Sequence, residues 1–558
     1  MSAAVRVWIL LAVAALVYGN TLLNGFTMDD NLYVVTNSQV THFTVKGLFE
    51  PTPYNNVFRP ATFGSYALDW SIGGAHPFVF HLMNLLLHAI VTLLLFLVLR
   101  KLLQSVPQGA IAAWVAALLF AVHPLHTEAV ASIAGRSELL AVGFLLGAWF
   151  LHLHDWPILA LVSFVLALLS KESAVVFLPL AFAGDYARGK LKPWHRYLAI
   201  AVTAVAYLGL LWRVQGGRFG EKGINFLDNP LAHLPAGVRI LNAFRIAWKY
   251  LGLHVYPGTL SCDYSYNAIP LYANWRHTAP AVIAAVLVLV LWFWALITKR
   301  REWVLAGAIY LAAFAVTANI LLPTGTIMGE RLAYLPSVGF CLLVALIWMK
   351  LEKRQRHLAW TVLGIVVIAL AARTIVRNRN WHDNISLFST DVKAVPGSAK
   401  MHSNLGAQYF YLGQLDAASR ELQTALSIYP DLPDALGYEA LVEFAKGHEG
   451  EARGRLEKAL SLTSKESPNY DFIAVNLAAV EMKLGANEDA LKLLDEETVR
   501  FPNSARAWSN RAVIRFERGE AGAARSDAEM ALRLDPANVQ AQNLLVVLNQ
   551  SVPAVPQQ

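Results

Sequence analysis

Long apolar runs broken by short polar stretches fill the first 380 positions, at 5–23, 81–103, 110–123, 138–153, 157–170, 173–187, 196–213, 278–298, 302–322, 335–350 and 357–376. A helix needs about 20 apolar residues to cross a bilayer upright. The shorter runs must therefore extend past these limits or cross a thinned, protein-lined region. The pattern predicts an all-α polytopic bundle of about eleven membrane-crossing helices. Two segments interrupt it, an aromatic-rich loop at 24–80 and another at 214–277. Within the second, "VRILNAFRIAWKYLGLHVYP" sets Arg239, Arg245 and Lys249 among apolar residues. That spacing suits an amphipathic helix lying in the interface rather than crossing it.

Beyond Arg379 the apolar runs give way to Ala and Leu alternating with charge, and a period appears. Gly413, Gly447, Gly485 and Gly519 are spaced by 34, 38 and 34 residues. Around them recur Leu405, Gly406, Tyr409, Ala418, Leu422, Ala425 and Pro430, and later Trp508, Ala512, Ala524, Ala531 and Pro536. These are tetratricopeptide-type repeats, with small residues where paired helices approach closely and a proline closing each unit. The expected division is a membrane domain at 1–380, a linker or half-repeat helix at 381–398, an α-solenoid of about four repeats plus a capping helix at 399–550, and a disordered tail at 551–558.

Composition and charge add sidedness. With 56% hydrophobic residues in 558 and a mean hydropathy of +0.43, the chain is too apolar for a soluble globule. From residue 391 onward 17 Lys and Arg face 23 Asp and Glu, so the basic surplus lies in the membrane part. Such a surplus marks cytoplasmic loops or anionic lipid rather than nucleic acid. Arg100-Lys101, "RGKLKPWHR" at 188–196, "KRR" at 299–301 and "KLEKRQRH" at 350–357 fall on one side by helix parity, the cytoplasmic side by the positive-inside rule. "TMDDN", "FRP", "HPLHTE", "GRSE", "SKE" and "MGER" then share the opposite face, together with the solenoid. The two cysteines, Cys262 and Cys341, form no CxxC and allow at most one bridge.

The candidate chemistry lies on that opposite face. Asp29 and Asp30 follow the first apolar run, and Arg59, Arg136, Lys171 and Arg331 stand there against the positive-inside trend. Cations kept against that trend are read as holding an anion, with interfacial snorkelling as the alternative. Acids and cations gathered there suit a reaction on a lipid-borne substrate, with an acid to take a proton and cations to meet a negative charge. Asp29 is read as the base, with Asp30 orienting. Lys171 with Glu172, and Arg331 with Glu330, are chain neighbours that cannot pair across one helix face, so each seeks a partner elsewhere. Arg136 and Glu138 could meet and hold a donor head group, or form a structural ion network. The spacing of His123, His126 and Glu128 admits a metal, and equally a helix-opening His-Pro turn with satisfied hydrogen bonds. His81, Asn84 and His88 put a polar stripe on one helix face, suited to holding helices together.

"LFAVHPLHTEAVASIAGRSELLA" at 119–141, "ALLSKES" at 167–173 and "GTIMGERLAYLPSVGFC" at 325–341 do not read as arbitrary loop text. With the paired aspartates, "FRP" at 58–60, "HPFVFHLMNLLLHA" at 76–89, "CDYSYNAIPL" at 262–271 and the terminal repeats, nearly the whole chain resembles the transmembrane and tetratricopeptide-repeat-containing protein O-mannosyltransferases, a family of the GT-C glycosyltransferase superfamily. The resemblance implies a GT-C-like membrane enzyme that takes a single hexose, mannose, from a polyprenyl monophosphate on the non-cytoplasmic face. It passes that sugar to Ser/Thr hydroxyls of an acceptor protein presented by the repeats, the acceptor proton going to a base and the departing phosphate meeting cations. Direct displacement with inversion is expected, since a retaining route would want a second, opposed carboxylate, for which there is no clear candidate. Asp29 and Asp30 would match the family's acidic pair, and Arg59, Lys171, Arg331 and Arg136 would meet the donor phosphate. His126, Glu128, Glu138, Glu172 and Glu330 would support the site. The resemblance implies no required cofactor and no metal ligand set, although some GT-C enzymes use a divalent metal and one at the aspartates stays open.

Phe58 in place of the usual Tyr of "YRP", Ala333 where the "GER" motif commonly carries Leu, and a shorter array than in animal members leave donor and acceptor identity open. Two rivals stand beside this reading: the same donor with a lipid-linked or cell-surface glycan acceptor, and a non-catalytic repeat scaffold. The compartment is expected to be a bacterial inner membrane with site and repeats periplasmic, or else the endoplasmic reticulum membrane with both lumenal.

Overall fold

The computed structural model describes residues 2–52, 56–217, 224–320 and 322–550, so the tail expected at 551–558 lies outside the described residues. Among the described residues the regular structure is helical, with no strand. The chain forms two units, Met1–Ser398 and the part from Ala399 onward.

Each of the eleven apolar runs of the first unit contains a helix: Ala3–Tyr18, Pro77–Leu102, Gly109–Val122, Arg136–Leu153, Pro157–Ser170, Phe177–Arg188, Trp194–Val214, Trp275–Ile297, Arg301–Ala315, Pro336–Arg354 and Arg356–Asn380. Among the described residues six helices, fewer than the eleven crossings expected, are by themselves long and apolar enough to cross a membrane, or seven if Gly109–Val122 is joined to Pro124–Ala131, bent 56° from it. The bend falls at Pro124, which has no N–H for the ladder and whose ring crowds the preceding turn. The unit is thus a multi-pass membrane bundle. Its helices approach closely where side chains vanish: a Cβ on Gly339 would stand 2.6 Å from the Ala306 carbonyl oxygen.

Contacts between helix ends sort the polar sequence as parity requires. Lys192 and Arg196 both bond Asp155 at 2.6 Å, the Arg301 guanidinium lies against Gly189, and the Lys350 ammonium stands 4.2 Å above the Trp303 ring. The basic clusters therefore gather at one end of the bundle. At the other end Asp30 reaches Ala134, Arg59 reaches Glu172 and Arg331 reaches Glu128.

Three segments carry more structure than loops or linkers. Pro60–Gly73, inside the expected first loop, is a helix with Pro60 at its first turn, where a missing N–H costs nothing. The amphipathic stretch forms the helix Ala236–Val255, with Trp248 and Val255 exposed. Asn384–Ala394 belongs to the first unit, fastened by a fully buried pair in which Arg377 donates to Asp391 at 2.6 and 3.2 Å. Both cysteines are buried and free of any disulfide.

The second unit alternates helices from Ala399–Tyr411 to Val539–Gln550. Gly413, Gly447, Gly485 and Gly519 sit between the helices of successive pairs with φ from 70° to 84°. Nothing crowds them, so the 34-residue period is a period of left-handed backbone. Gly406 is small for another reason: a Cβ there would lie 2.6 Å from Leu422 Cγ on the paired helix.

Candidate active site

Asp29 and Asp30 share a turn but not a role. Asp30 is wholly buried, and both its oxygens are committed. Oδ1 accepts from the Ala134 N–H at 2.7 Å and the Ser132 hydroxyl at 3.2 Å; Oδ2 accepts from the Thr27 N–H at 2.9 Å and its hydroxyl at 3.3 Å. Burial pushes its carboxyl up to about 6, against the pull of those backbone donors. Met28, immediately before the pair, adopts a φ of 46° and donates its N–H to Asn384 Oδ1 at 2.9 Å. Asp29 is left half-buried, its carboxylate without a hydrogen bond or ion pair among the described residues. It lies within electrostatic reach of Arg331 and Glu128.

Each of the four candidate phosphate-binding cations, Arg59, Arg136, Lys171 and Arg331, has a carboxylate partner distant in the chain. Arg59 forks Glu172 through Nη2 at 2.9 Å and Nε at 3.3 Å. Lys171 bonds Glu138, and Arg331 bonds Glu128 through Nη1, with its own backbone N–H on the second oxygen of Glu128 at 2.8 Å. Lys171 in turn senses Arg59, Glu172 and Arg331, and Arg331 senses Asp29 and Glu138. These charges form one connected group at the acid-bearing end. Arg331 is its most open cation, with a third of its side chain exposed, while Arg59 shows 19% and Lys171 6%.

Arg136 does not join them. Its side chain is fully buried against Asp69 at 2.5 Å, donates to Asn84 and the Phe80 carbonyl at 2.8 Å, and lies over the Tyr66 ring. A guanidinium enclosed in this way supports the Pro60–Gly73 helix from below and has no open face for a donor. Glu138, its expected companion, serves Lys171 instead.

The loop that carries Arg331 is held at three successive residues. The Tyr250 hydroxyl donates to the Gly329 carbonyl at 2.8 Å and accepts the Gly329 N–H at 3.0 Å. Glu330 accepts from the Ser261 N–H at 2.6 Å and the Tyr264 hydroxyl at 2.7 Å. Burial pushes the Glu330 carboxyl up to about 8, and nearby Glu128 adds to the rise while Arg377 opposes it. Glu128 completes the clamp at Arg331. Asp69, Tyr250, Ser261, Tyr264 and the Arg377–Asp391 pair were not among the residues singled out in the sequence. The "CDYSY" stretch was the one available signal.

The histidines are committed elsewhere. His126 Nδ1 donates to the Phe120 carbonyl at 2.9 Å and Nε2 meets Ser337 Oγ at 2.8 Å. His123 Nε2 donates to the His254 carbonyl at 3.0 Å, and its Nδ1 accepts the Leu125 N–H at 3.2 Å. With both oxygens of Glu128 on Arg331, these groups do not converge on one point. Among the described residues no three His, Cys, Asp or Glu side chains group in a way that could hold a metal ion. The residues present do not fit a divalent ion at the aspartates either, because Asp30 spends both oxygens on protein donors. His81, Asn84 and His88 are all fully buried and bond across to Gly25, Val130 and Ser132, and Tyr334.

Residues 224–291, the segment that supplies Tyr250, Ser261 and Tyr264, match the family model described as "Protein O-mannosyl-transferase TMTC, DUF1736". Over this segment the chain is similar to that family. It is 27% identical over 600 residues to mouse "Protein O-mannosyl-transferase TMTC3", covering 96% of this chain and 64% of that protein. It is 28% identical over 493 residues to human "Protein O-mannosyl-transferase TMTC1", covering 77% and 55%. The chain thus spans less than two thirds of the length of either relative. Among solved structures, one titled "Functional Characterization of Pseudomonas Aeruginosa pilF" aligns with 29% of this chain and 72% of its own, at 17% identity and a TM-score of 0.27.

Proposed function

We propose that this protein is a membrane glycosyltransferase that moves a single mannose from a polyprenyl monophosphate to Ser/Thr hydroxyls of proteins, with inversion. The observation that carries the reading is the gathering of Asp29, Arg331, Lys171 and Arg59 at one end of the bundle, from segments some three hundred residues apart in the chain. The names of the relatives supply the sugar and the acceptor class.

In this mechanism Asp29 takes the proton of the acceptor hydroxyl. The hydroxyl oxygen forms a bond to the anomeric carbon, and the bond from that carbon to the phosphate oxygen breaks with its electron pair on the phosphate. Arg331 and Arg59 stabilise the charge that develops there, and Lys171 adds to the field from deeper in the bundle. Arg331 spends Nη1 on Glu128 and Arg59 spends Nε and Nη2 on Glu172, so each keeps N–H groups for a phosphate. Inversion follows from availability. Among the described acids of this group, Asp30, Glu128, Glu138 and Glu172 are all bound to protein donors, which leaves Asp29 uncommitted and no opposed nucleophile beside it. On this reading the active site faces the non-cytoplasmic side, since the basic clusters occupy the other end.

The test is incubation of the purified full chain with radiolabelled polyprenyl-phosphate mannose and candidate acceptors. Label in protein that disappears in Asp29→Asn supports the proposal. Label in a glycan moves the acceptor assignment to that class, and no label from a well-folded preparation overturns the activity.

A further inference from the structure

At the basic end of the bundle a cavity of ≈ 540 Å³ opens between the C-terminal ends of Pro77–Leu102 and Arg136–Leu153 and the start of Gly109–Val122. Arg100, Lys101 and Gln104 supply its polar lining, Phe150 and Ala110 its apolar wall, and His154 one side. His154 is fixed there by Nδ1, which donates to the Phe150 carbonyl at 2.8 Å. No acidic residue lines the cavity.

The charge pattern around it is uneven. A few residues away Asp155 neutralises both Lys192 and Arg196. Arg100 and Lys101 have no ion-pair partner among the described residues; the Arg100 guanidinium only rests 5.6 Å from the Phe96 ring. Two adjacent cations left without an acid, at the rim of a concave apolar space, form a receptor for an anion that brings its own apolar surface. Both flanking helices are membrane-length and apolar, which puts the cavity at the level of the lipid head groups. The Arg136–Leu153 helix has 18 residues, so its two ends lie roughly 27 Å apart by helix rise. The cavity is therefore separate from the acid–base cluster at the other end.

We propose that this cavity binds the phosphate of an anionic membrane lipid, its charge on Arg100 and Lys101 and its acyl region along Leu97, Leu103 and Phe150. The size of the cavity and its apolar walls favour a lipid over free phosphate, which would gain nothing from them.

Native mass spectrometry of the full chain, titrated with cardiolipin, phosphatidylglycerol or phosphatidylcholine, tests this. The anionic lipids should stay bound at about tenfold lower concentration than phosphatidylcholine. The double substitution Arg100→Gln with Lys101→Gln should remove that preference. Ala110→Phe, which fills the cavity without touching charge, should weaken binding as well. Lys190→Gln with Lys353→Gln, an equal loss of charge in other basic clusters of the same end, should leave it intact. Equal weakening by that control would mean diffuse attraction and would overturn the site. So would equal retention of phosphatidylcholine, an undiminished preference in both cavity variants, or displacement of the lipid by millimolar inorganic phosphate.

Discussion

Replacing each aspartate of the pair separately by asparagine distinguishes the base from its support. Asp29 makes no side-chain hydrogen bond among the described residues, so Asp29→Asn should change stability by no more than about 0.5 kcal/mol, the scale of a change away from any buried network. Its effect falls on the rate: loss of a general base costs about 10²- to 10⁴-fold. Asp30→Asn is a different perturbation. Each Asp30 oxygen accepts one backbone N–H and one hydroxyl, and an asparagine must turn its NH₂ toward one of those pairs. One buried N–H then loses its acceptor and faces another donor, a cost of about 2–4 kcal/mol. Transfer of radiolabel, measured beside thermal unfolding in one detergent, reads both effects. Asp29→Asn should unfold with the wild type and transfer almost nothing, whereas Asp30→Asn should unfold earlier. Full turnover in Asp29→Asn would remove the base from the mechanism, and an unshifted unfolding temperature in Asp30→Asn would refute the supporting role given to its four bonds.

Arg331→Lys keeps the charge but has a single ammonium, which cannot hold Glu128 and a phosphate in the geometry of a planar fork; donor KM should rise nearly as far as in Arg331→Ala, as initial rates against donor concentration would show. Glu330, held up near 8, keeps its proton on folding at pH values where the unfolded chain has released it, so it lowers stability progressively as pH rises from about 4.5 to about 8 and contributes no further slope above that. Glu330→Gln should therefore unfold near the wild type at pH 5 and show a flatter fall of unfolding temperature up to pH 8. In the repeats, Gly406→Ala forces a methyl into contact with buried Leu422 and should destabilise that unit by about 1–3 kcal/mol, seen as faster proteolysis beyond Ala399 with the first unit intact.

The elements that follow from local periodicity were readable in advance. Eleven apolar runs became helices, and glycines 34 or 38 residues apart became left-handed turns. The gathering of the basic clusters at one end of the bundle was readable too, because helix parity and the placement of Lys and Arg are properties of the chain alone. What sequence could not supply was who meets whom. The expectation that Lys171 and Arg331 avoid their neighbouring glutamates rested on helix geometry and agrees with the pairs Lys171–Glu138 and Arg331–Glu128, yet those partners were not nameable. Arg136 shows the limit more sharply. Within "GRSE" it looked like the other candidate phosphate-binding cations, but its partner Asp69 lies in a helix taken for loop, since "PATFGSYALDWSIG" has neither a long apolar run nor a clear amphipathic stripe. Tyr250, Ser261 and Tyr264 were hidden for a related reason, as hydroxyls and a backbone N–H that matter only once the Arg331 loop lies beside them.

That the cations are already paired bears on how such a site would hold an anion. An arginine alone at the end of an apolar bundle would be free to swing to water, and its charge would then have to be recaptured at each turnover. Glu172 takes two nitrogens of Arg59 and fixes the plane of that guanidinium, while Glu128 holds Arg331 by one nitrogen, so both side chains are restrained before any donor would arrive. Glu128 goes further by gripping the backbone of the residue whose side chain it holds, so the Arg331 fork and its loop cannot move independently. The price is charge: with Asp29, the acids Glu128, Glu138 and Glu172 outnumber Arg59, Lys171 and Arg331 by one. An ionised phosphate entering this group gains from orientation and from short contacts to fixed N–H groups rather than from a net positive field. Donor recognition on this arrangement depends on geometry, which is why a charge-conserving change at Arg331 is expected to be nearly as damaging as its removal.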